Sequence, residues 1–278
     1  MTKKIINIES GPERLKSFED NWQTEMGAWF PGERVVLRGK DVFTELSQCS
    51  WMEYFIYGLT GKTSTKLARL VEGIWLISTS FPDPRLWNNR VAALAGTCRS
   101  TGVLATAAGV GVSEATIYGL KPIKGSIDFL YRATKKLEEG KPLEKIIRNE
   151  LKTYRTVYGY GRPLTSADER VKPLMDFADS IGMGDGPYTK LAFEIEKWFK
   201  ASRLKYQINI AAVAAGLLAD CGVLPEEEYY YATLSFVGGI YPCYIDSLDK
   251  PEGAFMPLNT KRIRYVGTNE TRSWGSKQ

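Results

Sequence analysis

Between residues 41 and 139, apolar residues recur at the three-and-four spacing of a helix face, and the pattern is punctuated at Gly61, Pro82, Gly119 and Gly140. Periodicity of that kind, interrupted at single breakers and not by long polar stretches, leaves room for helices joined by short connections and for little else. It predicts helices over 41–58, 64–81, 83–97, 102–118 and 126–139. Further helices are predicted over 143–154, 167–181, 189–200, 209–221 and 226–237. The best strand candidate is Glu33-Arg-Val-Val-Leu-Arg-Gly-Lys-Asp41, which follows a turn-like Pro31-Gly32 and carries Gly39 near its end. The expected fold class is all-α.

Composition excludes several functions. A 278-residue chain that is 44% hydrophobic and 25% charged can bury a large core, so disorder is not its main state. The net charge of +5, from 37 basic and 32 acidic residues, is spread along the chain and lacks the clustering of a nucleic-acid footprint. The N-terminal apolar stretch is broken by Asn7 and Glu9 and does not read as a signal peptide. No window has the length and apolarity of a membrane span, since even 92–112 contains Arg99, Ser100 and several glycines. The expectation is a cytoplasmic protein that binds neither nucleic acid nor membrane. Cys49, Cys98, Cys221 and Cys243 form no CxxC pair, so no metal site is expected and the thiols read as reduced and packed.

The chain contains no histidine. It therefore lacks the side chain whose ordinary pKa lies nearest neutrality, and proton transfer must fall to carboxylates, Lys, Tyr, Cys or water. Two familiar motifs fail on inspection. Gly61-Lys62-Thr63 ends like a phosphate-binding loop, but Ile56 stands where its first Gly must be. Gly109-Val-Gly111 follows no strand and reads as close helix packing. Pro225-Glu-Glu-Glu228 has the form of a first helical turn, with carboxylates at the positive end of the dipole. The small-residue helices around 91–96 and 211–220 read as buried between others or at a subunit interface. The residues beyond Gly267 read as a mobile or partner-draping tail.

Two loops carry more. Pro122-Ile-Lys-Gly-Ser126 places Lys124 in a tight turn at a helix start, a cation beside free backbone N–H groups. In Tyr158-Gly-Tyr-Gly-Arg-Pro-Leu-Thr-Ser-Ala-Asp-Glu-Arg170, two glycines and a proline shape the backbone around Arg162, with Arg170 entering the next helix.

Taken in order, these segments resemble the citrate synthase superfamily, including its citryl-CoA lyase branch. Asp83-Pro-Arg-Leu-Trp-Asn-Asn-Arg90 resembles the family's Asp-His-Glu-Leu stretch, and Pro122-Ile-Lys-Gly-Ser-Ile-Asp128 its Pro-Leu-His-Gly-Gly-Ala-Asn turn. Gly159-Tyr-Gly-Arg-Pro with Asp168-Glu-Arg170 resembles Gly-Phe-Gly-His-Arg followed by Asp-Pro-Arg. Asn209-Ile-Ala211 and Gly222-Val-Leu-Pro are similar to Asn-Val-Asp and a Gly-Ile-Pro turn, and Lys261-Arg-Ile-Arg-Tyr265-Val-Gly267 to a C-terminal Arg-x-x-Tyr-x-Gly segment.

The resemblance implies an all-helical homodimer with a large domain (1–124 and 216–278) and a small one (125–215). It further implies that an acyl thioester, on CoA or a carrier protein, and an oxo-acid carboxylate meet as substrates, with no separate cofactor. The family's catalytic Asp falls on Ala211, its turn His on Lys124, its loop His on Arg162, and the His of Asp-His-Glu on Pro84. Losing a general acid or base costs about a hundredfold to ten thousandfold each, so the standard condensation should be nearly absent. What remains is a set of cations: Lys124 and Arg162 as candidate catalytic residues, with Arg170, Arg90, Arg262, Asn209 and Asp83 as candidate substrate ligands. Two functions follow. One is a transferase or lyase of altered mechanism that forms or cleaves a carbon–carbon bond, with Lys124 polarising a carbonyl or, desolvated among Arg162 and Arg170, forming an imine. The other is a catalytically silent pseudoenzyme serving as a ligand-binding, accessory or regulatory subunit.

Overall fold

A computed structural model describes residues 11–78, 81–162, 167–255 and 260–267; the tail beyond Gly267 lies outside them. Packing divides the chain into two compact units, Met1–Ser78 with Leu120–Thr233, and Thr79–Gly119 with Leu234–Gln278. The domain limits expected from the resemblance, after residues 124 and 215, fall inside two helices that each lie whole within the first unit.

The first unit opens with helix α1 (Gly11–Lys16) and a small antiparallel sheet of β1 (Gly27–Phe30), β2 (Arg34–Leu37) and β3 (Lys40–Asp41). The single strand expected over 33–41 is therefore two, folded at Arg38-Gly39, where both residues have positive φ. Helix α2 (Trp51–Thr60) starts ten residues later than its apolar pattern suggested. The Asp41 carboxylate accepts from the N–H groups of Phe43 and Thr44 at 2.8 and 2.9 Å, a local turn that competes with helix. Ser50 and Glu53 then form a reciprocal capping box that starts α2. Helix α3 (Thr65–Ser78) follows, and the chain leaves for the second unit through α4 (Trp87–Thr97) and α5 (Gly102–Ser113).

It returns as α6 (Leu120–Glu138), α7 (Leu143–Tyr154), α8 (Val171–Ser180), α9 (Pro187–Ala201), α10 (Ile210–Asp220) and α11 (Pro225–Ser235). Helix α10 is the axis of this unit, packing against α3, α6, α8 and α9. Its small, apolar sequence suits that place: Gly216 lets the backbone of α9 come so near that a Cβ would stand 2.9 Å from Thr189 Cα. The rest of the second unit is α12 (Val237–Leu248) and a 3-10 turn at Thr260–Arg262, with α4, α5 and α12 packed on one another. Helix α12 lies beyond the last helix that the periodicity predicts, 226–237; Gly239 is buried against its neighbours and Pro242 sits inside the helix. The thiols are not uniformly packed either: Cys243 is buried, but Cys98 is exposed.

The most consequential correction concerns Lys124. The stretch 122–126 is not a turn; it lies within the first two turns of α6, which begins at Leu120. Pro122 is tolerated there because the first-turn N–H groups have no intrahelical partner to lose. Gly125 serves packing: a Cβ on it would stand 2.2 Å from Tyr158 Cδ2.

Candidate functional site

The loop that follows α7 is built by two glycines. Gly159 has φ +91° and Gly161 φ +81°, and a Cβ on Gly159 would stand 2.5 Å from that of Ala212. That close approach lets the loop pair with the segment before α10: Gly161 N–H donates to Gln207 O at 2.8 Å, and Asn209 N–H to Gly159 O at 2.9 Å. Between the glycines, the buried Tyr160 hydroxyl donates to Ala192 O at 2.8 Å. Asn209 is the N-cap of α10, its Oδ1 accepting from Ala211 N–H at 3.0 Å and its Nδ2 donating to Gly161 O at 3.0 Å. Both ends of this candidate ligand are thus committed to the backbone.

Asp168 is the node of the site, and its side chain is 0% exposed. Arg170 grips it with Nε and Nη2, each at 2.8 Å, and Ile210 N–H donates to Oδ2 at 2.9 Å. Burial pushes the carboxyl upward, but Arg170 and the Ile210 N–H outweigh it and hold the group below its ordinary value. Arg162 joins the same cluster through Nη1, 3.8 Å from Asp168 Oδ1 and 2.7 Å from Glu169 Oε2. Glu169, whose bond to Arg162 raises the pKa of the guanidinium further, leaves 66% of its side chain in solvent.

Lys124 stands in a second centre. Its Nζ donates to both oxygens of Glu226, the second residue of α11, at 2.6 and 2.7 Å, and lies 5.8 Å from the ring centre of Tyr229. Both partners are open to solvent, at 39% for Lys124 and 66% for Glu226. The imine route required an amine among arginines, whereas the partner found is a carboxylate. From the sequence Glu226 reads as dipole compensation alone; a partner a hundred residues away leaves no local signal.

The other candidates belong to the second unit. Asp83 is clasped by Arg85, with Nη2 2.6 Å from Oδ2 and Arg85 N–H 2.8 Å from Oδ1, and Arg85 holds its carboxyl down to about 2. The buried Asn89 ties this loop to α4 by donating to Phe81 O and Asp83 O. Arg90 is exposed and donates from Nε to Pro84 O at 3.2 Å; Arg262 is exposed at the end of the 3-10 turn. A groove of about 610 Å³ beside the Asp83 loop is lined by Pro82, Pro84, Pro242, Cys243 and Phe255, with the paired Asp246 and Lys250. Of the seven candidates, the structure brings Arg162 and Arg170 together on one carboxylate, fixes Asn209 beside them, and gives Lys124 its own carboxylate.

Among the described residues no group of three or more Cys, Asp or Glu is arranged to hold a metal ion, and no helix is long and apolar enough to cross a membrane.

No protein-family model and no curated protein sequence matches the chain. Solved structures do. Citryl-CoA lyase from Hydrogenobacter thermophilus matches with a TM-score of 0.76 at 18% identity, over 91% of this chain and 97% of that one. ATP citrate lyase from Methanothrix soehngenii, solved with citrate and coenzyme A, matches with a TM-score of 0.73 at 17% identity, over 93% of this chain and 44% of that one. Citrate synthase from Thermoplasma acidophilum, in a ternary complex with carboxymethyl coenzyme A and oxaloacetate, matches with a TM-score of 0.62 at 16% identity, over 81% of this chain and 58% of that one. At these identities the likeness is one of fold.

Proposed function

We propose, for a chain built on the fold that citrate synthases and citryl-CoA lyases share, that it binds an acyl thioester together with a di- or tricarboxylate and forms or cleaves a carbon–carbon bond between them. The observation that supports this reading is that Lys124 and Arg162 each hold a carboxylate whose own side chain is 66% exposed. Such a partner is replaceable: a surface ion pair is worth about 0–1 kcal/mol, less than a charge-assisted contact to a well-placed ligand carboxylate. Arg170 differs, because Asp168 is buried, and it serves as the anchor that positions Arg162. With no imidazole in the chain, Lys124 and Arg162 act by polarising carbonyl oxygens, and protons pass through water and the displaced carboxylates.

Ala211 favours a second reading. A methyl group at the position of the family's base removes no proton, and the same cations then serve a non-catalytic, ligand-binding or accessory subunit. Calorimetry with CoA thioesters and with citrate or oxaloacetate, run beside a thiol-release assay in both reaction directions, separates the two. Binding with turnover supports the first, binding without turnover the second, and no binding of either ligand class rejects both.

The reading includes a homodimer. Helix α5 carries no charged residue and leaves Val103 74% and Leu104 61% exposed, an apolar face of the kind that a second subunit covers. Leu104→Glu should leave a folded monomer in sedimentation experiments. A wild-type monomer at micromolar concentration would reject the dimer.

A further inference from the structure

Helix α11 contains a group that neither centre uses. Glu228 is only 2% exposed, and neither of its carboxyl oxygens has a hydrogen-bond partner. One turn along the same face, the hydroxyl of Tyr231 is likewise buried and unpartnered. The Tyr231 ring lies 6.4 Å from that of Phe55 on α2, which is also 6.4 Å from Trp75 on α3, whose buried indole N–H has no partner. A carboxylate in such a place would lack both water and a counter-charge, at a cost far above that of the neutral acid.

The charged groups nearby do not relieve it. Tyr131 faces it from α6 and gives its hydroxyl hydrogen to Val223 O at 2.9 Å; Tyr231 and Glu227 lie on α11 itself, and Glu227 accepts from Leu224 N–H at 2.8 Å. Lys124, which reaches α11 from α6, is taken by Glu226. Burial alone moves the Glu228 carboxyl, well above 4.5.

We propose that α11 is a proton-controlled latch on Lys124: a neutral Glu228 lets the helix stay seated with Glu226 masking the amine, and ionised Glu228 unseats it and frees Lys124. The latch rests on the preceding section only for the use made of the freed amine. The sign follows from linkage. A carboxyl whose folded value is raised leaves the seated form fully stable below the ordinary value of 4.5. Each pH unit above that, up to the folded value, costs the seated form about a factor of ten relative to one with Glu228 in water.

The test uses the intact protein from about pH 5 to about pH 9. Two quantities are followed: hydrogen exchange of α11 amides relative to those of α10, corrected for intrinsic rates, and acylation of Lys124 by acetic anhydride relative to exposed Lys152, read by mass spectrometry. In the wild type both ratios should rise with pH, the α11 ratio by up to about tenfold per unit and the Lys124 ratio by about twofold to fivefold in all, the worth of one exposed pair. In Glu228→Gln, and equally in Glu228→Leu should the amide variant fail to fold, both should stay low and flat. In Glu226→Gln the Lys124 ratio should be high throughout. Flat ratios in the wild type, or a wild-type slope retained without Glu228, overturn the latch. No ligand enters these measurements, so failed citrate binding with intact slopes would sink the proposed function and leave the latch standing.

Discussion

Asp168 and Glu226 each hold a candidate site cation through two contacts under 3 Å, yet the side chain of one is 0% exposed and that of the other 66%. Asp168 also accepts from Ile210 N–H, so it ties the segment leading into α8 to the start of the central helix α10. Glu226 ties only the outer turns of α6 and α11. The same pairing chemistry therefore does two jobs. Where water is excluded, the carboxylate is architecture, because no ligand competes with it without unfolding the node. Where water has access, the carboxylate is a placeholder, and its cation can change partners.

Removing the buried member should have the largest effect. Asp168→Ala leaves Arg170 and the Ile210 N–H without their acceptor and should lower unfolding free energy by roughly 3 kcal/mol, the low end for a broken buried pair because Arg170 keeps 22% of its side chain exposed. Urea denaturation measures it; a loss no larger than that of a surface substitution would erase the distinction between the centres. Acid offers a second test. The folded carboxyl lies below its ordinary 3.8, so its contribution is complete above that value and disappears as pH falls through the lowered one. Wild-type stability should drop over that acid window, and Asp168→Asn should lose the drop while being less stable at neutral pH.

The sequence carried the helices better than the site. Helix α7 has the limits its periodicity predicts, Leu143–Tyr154, because Pro142 and the left-handed Arg155 bound it locally. Helix α6 defeats the same reading, since glycine and proline break helices in the absence of tertiary partners. Here Gly125 makes room for Tyr158. Within the site, Arg162 and Arg170 stand out through the unusual loop chemistry around them, and Asn209 through the resemblance alone. Asp168 was visible as part of an Asp-Glu-Arg segment, but its status as the node depends on Ile210, 42 positions away, and its absence of exposure has no sequence signature. Glu226 was misjudged for the same reason: a carboxylate in a first helical turn has a sufficient local explanation.

The exposed centre should show the reverse balance, small in stability and larger in binding. Lys124→Met should change unfolding free energy by less than about 1 kcal/mol, as exposed pairs do, while weakening citrate or oxaloacetate by roughly tenfold to a hundredfold through loss of one charge-assisted contact. Equal losses in folding and binding would mean that Lys124 is also architecture. The smallest effect is the most diagnostic. Glu226→Gln and Glu169→Gln each remove a competitor for a cation without touching the cation itself, so each should tighten carboxylate binding by about twofold to fivefold, the equivalent of one surface pair. A variant that weakens binding would show its carboxylate to be part of the ligand's surroundings. Affinities that do not move would show that the cation keeps its present partner, and the placeholder reading would fail for that centre.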